Sequence, residues 1–465
     1  MSYEAFVASK LATSPTTGLS GPFVLHESLH DFQIDLVSWA LRRGRAALFE
    51  GTGLGKTRQQ VEWARVVYER TGRDVLILAP LSVASQTVRE AARIGVTVTL
   101  CREAGDVRHG INVTNYDRVE RFGAHPWGAV VLDESSCIKH QDTKTFALLC
   151  ALFRETPFKL CCTATPAPND WTELGTHAEF LGVCSRVEML SEYFCHDGGE
   201  TSVWRLKGHA RGAFWRWVSS WGAMVSHPRD LGYEVEGYDL PPLEVIEHTV
   251  KTDEGEAAKA GLLFVPEAGS LMERRTARKV SAEKRVAACA AVVEAEPGES
   301  WLVWCDLNAE SEALTTALNA TEVRGAMDAD EKEARLTRFS DGEVPVLVTK
   351  PSIAGWGLNW QHCARMAFVG VTDSFEAYYQ AVRRCWRFGQ VRRVKVHIFA
   401  SEAEGSVVSN LKRKEADAAA MAAALSAETA ASVRAEVRGL VRETNAYEAS
   451  VTMKIPEWLK TEACA

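Results

Sequence analysis

Short apolar runs alternate along the chain with stretches whose apolar positions recur at helical spacing. The runs "AALFE", "VLILAP", "VTVTL", "INVTNY", "AVVLDE" and "FKLCCTAT" are mostly continuous rather than alternating, as strands covered on both faces of a parallel sheet must be. The pattern breaks and then recurs in "SWLVWCD", "TEVRG", "VPVLVTK", "RMAFVG" and "VKVHIF", separated by helical stretches such as "AESEALTTAL" and "DEKEARLTRF". Two α/β domains in series are predicted, each a parallel sheet with crossover helices.

Between them, Cys184 to Leu240 is rich in tryptophan and glycine. Phe214, Trp217, Val218, Trp221 and Val225 fall at helical spacing, which predicts an apolar stripe on a helical insertion, either core packing or a stacking surface for nucleic acid. "DLPPLE", Asp239 to Glu244, is expected to cross into the second domain in extended form, because paired prolines block helix and central strand alike. From Leu411 an alanine-rich run of high helix propensity stops before Pro456, predicting a helix that docks on a neighbour or a protein partner. The expected divisions are an arm at 1–26, a first α/β domain at 27–183, the Trp-rich insertion at 184–240, a second α/β domain at 241–410 and the helical tail at 411–465.

Composition narrows the classes. The chain has 465 residues, 46% of them hydrophobic and 25% charged, a soluble globular composition too long for a single core. Its longest charge-free apolar run near a helix, Val286 to Val293, falls short of the roughly 20 residues a bilayer span needs, so no membrane segment is expected. The opening residues lack a basic start followed by an apolar stretch, so no secretory leader is expected. Twelve cysteines without regular pairing predict reduced thiols in a cytoplasm. Cys184, Cys195, His196 and His209 contain no CxxC pair, and no zinc site is expected from them. A net charge of -8 excludes coating nucleic acid by bulk charge. Local basic stretches remain able to touch it, since screening confines fields to about 10 Å. Two such stretches are "ERRTARKVSAEKR" from Glu273 and "QAVRRCWRFGQVRR" from Gln380.

The chemistry begins directly after "AALFE", where "GTGLGKT" spans Gly51 to Thr57 ahead of a helical stretch. Glycines at 51, 53 and 55 let backbone N–H groups of the loop, Thr52 and Leu54 included, converge on a phosphate. Lys56 brings a positive charge to the terminal phosphates, and the Thr57 hydroxyl can ligate magnesium. This is a Walker A loop, with Glu50 where the strict pattern has glycine. Further on, "AVVLDESS" ends a second apolar strand in two carboxylates. Asp133 is placed to hold Mg2+ through water, and Glu134 to orient and deprotonate the attacking water.

With "EGTGLGKT" followed by "LDESSCIKH", the chain resembles the superfamily-two helicases, in particular their Swi/Snf-type branch, over roughly residues 27 to 412. The resemblance implies two tandem RecA-like domains with ATP and Mg2+ between them. "HDFQIDLVSWAL" is similar to the upstream Q motif, with Gln33 recognising adenine. "LAPLSVASQTVRE" and "VTNYD" match strand-end nucleic-acid contacts, which implies that role for Pro80, Ser82, Thr114, Asn115 and Tyr116. "CCTATPAPND" matches the segment linking ATP state to domain movement, with Thr163 and Thr165 as its threonines. "SIAGWGLNW" resembles the fifth motif, implying nucleic-acid contacts for Ser352 and Asn359 and a nucleotide contact at Gly357.

The arginine-rich stretch follows the family pattern Gln-Ala-x-x-Arg-x-x-Arg-x-Gly-Gln, fitted by Gln380, Ala381, Arg384, Arg387, Gly389 and Gln390. The resemblance assigns Gln380, Arg384 and Arg387 to catalysis. The two arginines cross the cleft to an ATP held by the first domain, where a guanidinium stabilises charge on the transferred phosphoryl group. Arg383, Arg392 and Arg393 match no required position and are read as surface or phosphate-contacting residues. Arg383 replaces a usual glycine, and Ser136 stands where the family often has histidine. The implied activity is an ATP-dependent DNA helicase or translocase, gripping duplex DNA largely without regard to sequence. By analogy with compact members, its setting is a bacterial or phage-infected cytoplasm. An RNA-directed helicase and a nucleotide-operated switch that binds partners through the tail remain as alternatives.

Overall fold

The computed structural model describes residues 16–168, 170–197, 200–251, 279–354, 358–370, 374–402, 409–410, 413 and 429–437. Strands form at the apolar runs: β1 Arg45–Glu50, β2 Val75–Ala79, β3 Val98–Leu100, β4 Ile111–Asn115, β5 Ala129–Asp133 and β6 Phe158–Thr163. A hairpin follows, β7 Phe194–Asp197 with β8 Glu200–Leu206, and then β9 Gly222–Val225. The first sheet has the order β3-β4-β2-β5-β6-β1-β9, with every pair parallel.

Apolar clusters cover both faces of this sheet. Cys161 and Cys162, successive residues of β6, belong to opposite clusters, as side chains alternating across a strand must. Because all strands run one way, the ends at Glu50, Ala79, Asn115, Asp133 and Thr163 line one edge, where an open parallel sheet binds its ligands.

The second sheet comprises β10 Leu243–Val250, β11 Trp301–Cys305, β12 Thr321–Glu322, β13 Val346–Thr349, β14 Arg365–Val369 and β15 Val394–Ser401. Its order is β10-β15-β14-β11-β13-β12, again all parallel. The molecule thus has two parallel α/β lobes in tandem.

The Trp-rich segment departs from a purely helical insertion. Its helix Arg211–Ser219 is flanked by the β7–β8 hairpin and by β9, which adds an edge strand to the first sheet beside β1. Phe214, Val218 and Trp221 are fully buried on that lobe's core, and Trp217 packs between Tyr193 and Trp221. The aromatic stripe is therefore core packing and not a stacking platform.

Of the expected tail, 411–465, only residue 413 and residues 429–437 are described. Within 429–437, Val433 and Val437 are buried in the first lobe's core, and Glu436 pairs with Arg43 at 2.6 Å. The other tail residues, residues 1–15 of the arm and residues 273–278 of the basic stretch lie outside the described residues. At the end of that stretch, Arg285 is fully buried against Glu310 at 2.7 Å, a core ion pair and not a nucleic-acid contact.

Candidate nucleotide cleft between the two lobes

The loop after β1 turns twice through the left-handed region, at Gly53 (φ +97°) and Gly55 (φ +87°). A Cβ at Gly55 would stand 2.3 Å from the Gln33 amide nitrogen, and one at Gly53 would stand 2.9 Å from the Phe388 backbone nitrogen. Both positions therefore require glycine sterically as well as conformationally. The helix Lys56–Thr71 starts from this loop, aiming its unpaired N–H groups and positive dipole end into the cleft. Lys56 Nζ donates to the backbone oxygens of Glu50 (2.9 Å) and Gly51 (3.3 Å).

Two acids stand opposite. Gln60, one helical turn after Lys56, donates its amide to Asp133 Oδ1 at 2.7 Å. Burial raises the Asp133 carboxyl pKa, opposed by the Gln60 hydrogen bond and by the charges of Lys56 and Arg384. Glu134 adopts φ +53° and ψ +54°, left-handed backbone that a non-glycine residue rarely takes. Thr163 Oγ1 lies 3.5 Å from its carboxylate.

A cavity of about 340 Å³ joins these groups. Gln33, Lys56, Thr57, Asp133 and Glu134 form its first-lobe wall; Asn359, Arg384 and Arg387 reach it from the second lobe. Arg384 is held by Gln380 through both the backbone and the side-chain oxygen (2.9 and 3.0 Å) and by the Leu358 carbonyl (3.2 Å). Arg387 donates to the same Leu358 oxygen at 3.4 Å, and its Nε is buried without a partner. Burial lowers both guanidinium pKa values, to about 10 for Arg384 and about 9 for Arg387.

A nucleoside triphosphate with a divalent cation fits this donor set. The glycine turns leave a cradle that a Cβ would fill, and Thr52 Oγ1 is a buried hydroxyl without a partner at its rim. Lys56, Arg58, Arg93, Arg384 and Arg387 line it beside the carboxylates of Glu90, Asp133 and Glu134, with the Thr57 hydroxyl and Asp133 suited to the metal. Gln33 donates to the Leu54 carbonyl at 2.7 Å and accepts from the His30 N–H at 2.9 Å, which pins its amide on the loop. Gly51 and Leu54 form the root of the loop and not the wall of the cavity.

Other expected residues fall elsewhere. Pro80 begins the helix Leu81–Arg93 at the sheet edge, and the Ser82 side chain lies outside the described residues, as does Gly357. Thr114 is buried, its hydroxyl donating to the Cys101 carbonyl at 2.8 Å, so it does not offer that side chain to nucleic acid. Tyr116 likewise turns inward, donating to the Asp133 carbonyl at 2.7 Å. Asn115 is buried, with its Oδ1 unpartnered. Asn359 lines the nucleotide cavity rather than an outer track, whereas Ser352 is exposed on the helix Pro351–Ala354. Gln380 does not line the cavity; it holds Arg384. Thr165 donates its N–H to Thr163 Oγ1 at 3.2 Å. Arg383 stacks over Trp386 with 4.3 Å to the ring centroid, and Arg392 and Arg393 pair with Glu299 and Glu244.

Among the residues in or beside the site that lay outside the sequence expectations are Gln60, Tyr238 and Phe388. Gln60 was legible as an i, i+4 neighbour of Lys56. Tyr238 and Phe388, their ring centroids 4.5 Å apart and their planes tilted by 33°, come from segments distant in sequence.

The fold and cleft together define a tandem RecA-like P-loop ATPase. Residues 32–191 match the SNF2-related domain and residues 283–389 the helicase conserved C-terminal domain. The chain belongs to the superfamily-two helicases of Swi/Snf type, whose members are ATP hydrolases acting on nucleic acid. Among solved structures it is similar to the Sulfolobus solfataricus SWI2/SNF2 ATPase core in complex with dsDNA, at 19% identity and a TM-score of 0.42, covering 90% of this chain and 98% of that one. No curated protein sequence matches it.

Proposed function

We propose that this protein is a DNA-stimulated ATPase that moves along duplex DNA. The carrying observation is that Arg384 and Arg387 of the second lobe line the same cavity as Lys56, Asp133 and Glu134 of the first. Lys56 and the loop N–H groups bind the phosphates, Gln33 reads the base, and Glu134 takes the proton of the attacking water. Arg384 and Arg387 stabilise the charge that develops on the transferred phosphoryl group. A magnesium ion held by Thr57 and Asp133 would offset phosphate charge. With its two walls on different lobes, the cavity is favoured closed when nucleotide bridges them and released after hydrolysis. Strand-end loops along the same edges would hold the DNA backbone, as Pro80 and Ser352 are positioned to do, which gives grip without sequence preference.

The Swi/Snf-type match supports duplex DNA as the substrate and tracking without strand separation. Burial of Val433 and Val437 on the chain's own first lobe weighs against a partner-binding switch working through that part of the tail. ATP turnover is expected to rise on adding duplex DNA, and a triplex-displacement assay to report movement where strand displacement does not. Turnover indifferent to DNA would overturn the reading; stronger stimulation by RNA at matched salt would redirect it to the other polymer.

A further inference from the structure

His177 lies in the helix Leu174–Leu181, carries no role assigned above, and is fully buried. Its Nε2 shares a hydrogen bond of 3.1 Å with the hydroxyl of Ser135, also fully buried and next in sequence to Glu134. Its ring stands edge-on to Phe49, the residue before Glu50 at the end of β1, with centroids 5.2 Å apart at 88°. Burial pushes the imidazole pKa down to about 4, so the ring is neutral at working pH and meets Ser135 as an uncharged partner. The helix itself follows the Thr163–Pro166 segment after one short turn, Trp171–Glu173. Two elements of the cleft therefore meet at one side chain, the strand feeding the phosphate loop and the turn bearing Glu134, and the helix that carries it follows the segment starting at Thr163 in sequence.

An imidazole and a hydroxyl are costly occupants of an apolar cluster, and an aliphatic pair would fill the volume without desolvation. They stand beside a strained backbone, since Glu134 is in left-handed conformation immediately before Ser135. Thr163 Oγ1 lies 3.5 Å from the Glu134 carboxylate, so the turn is touched both by His177, through Ser135, and by the strand end that precedes its helix. The sequence has serine at 136 where the family often has histidine; here an imidazole arrives from another helix at the adjacent serine.

We propose that His177 is a positioning residue for hydrolysis: through Ser135 it fixes the turn that aims Glu134, tying that carboxylate to the helix beyond Thr163. The proposal rests on the reading of Glu134 as the base for the attacking water. Misaiming such a group costs rate without costing nucleotide affinity, so His177→Ala is expected to lower kcat for ATP by about 10- to 100-fold with KM within about 3-fold. Ser135→Ala should do the same, and the double variant should be no slower than the slower single, because both remove one link. His177→Gln, which can present an amide to Ser135, should recover much of the lost kcat.

Should His177→Ala fail to fold, Ser135→Ala, a loss of one oxygen, carries the test. Wild-type kcat in Ser135→Ala or in folded His177→Ala overturns the proposal, as do losses that multiply in the double variant or a glutamine no better than alanine. Glu134→Gln, assayed alongside, separates the failures. If it too keeps full turnover, the assignment of Glu134 falls; if it alone is dead, only the role of His177 falls.

Discussion

The second lobe treats its buried and half-buried arginines in two ways. Inside the lobe, Arg285 and Glu310 form an ion pair at 2.7 Å with neither side chain exposed, and Arg365 meets Glu296 at 2.5 Å. At the cleft, Arg384 is buried and Arg387 half-buried, yet their hydrogen bonds go to carbonyl and amide oxygens. Among the described residues neither makes an ion pair with a carboxylate. A carbonyl holds a guanidinium in place without neutralising it, whereas a carboxylate cancels it. The first lobe mirrors this arrangement with the sign reversed, since Asp133 is held by the neutral amide of Gln60. Charge is thus cancelled where it serves the core and conserved where a ligand must meet it.

Removing one arginine of each kind tests that contrast most severely. Arg387→Ala is expected to fold normally and to lose about 10³- to 10⁵-fold in DNA-stimulated turnover, the range of arginine fingers. Single-turnover ATP hydrolysis measures it. Arg285→Ala should do the reverse: leaving Glu310 buried without its partner costs about 3–5 kcal/mol of stability, read by urea denaturation, while the folded fraction keeps its turnover. If Arg387→Ala were chiefly a folding defect, the distinction between the two classes would collapse.

Much of this was legible in the sequence because local physics dictates it. Continuous apolar runs can only be covered strands, and a glycine-rich turn between strand and helix builds its phosphate cradle from adjacent residues. The arginines, too, were legible, through the family pattern that their stretch resembles. What local pattern could not give was the destination of side chains in three dimensions. Thr114 and Tyr116 sit at a strand end, as expected of surface contacts, but their hydroxyls turn inward to the carbonyls of Cys101 and Asp133. β9 was hidden in a tryptophan-rich stretch because an edge strand of four residues, Gly222–Val225, carries too little periodicity to register. His177 was invisible for the same reason: its partner is forty-two positions away in sequence.

The first-lobe side of the comparison is sharpened by a smaller effect. Gln60→Ala removes the amide that orients Asp133 and leaves the carboxylate in place. A change of this kind behind a metal-binding carboxylate weakens metal affinity about 10- to 100-fold. The Mg2+ concentration for half-maximal turnover should rise accordingly, with kcat at saturating Mg2+ changed far less.

The smallest expected effect concerns Glu50, an acid at the root of the phosphate loop that lacks a strong partner. Its Oε1 accepts from Gln59 at 2.9 Å, and its Oε2 is buried with none; Lys56 gives its hydrogen bond to the Glu50 backbone oxygen. Burial raises the carboxyl from 4.5 to about 7, with Lys56 and Gln59 pulling the other way. In the window from pH 4.5 to 7 the folded state therefore binds more protons at this group than the unfolded state does. Its contribution to stability is lost as pH rises through that window. Glu50→Gln keeps the shape and removes the titration, so its Tm should exceed that of the parent by more at pH 7.5 than at pH 5.5. An equal difference at both pH values would mean that the Lys56 charge holds Glu50 ionised throughout, and the phosphate loop would then already contain a neutralised cation, unlike the arginines opposite it.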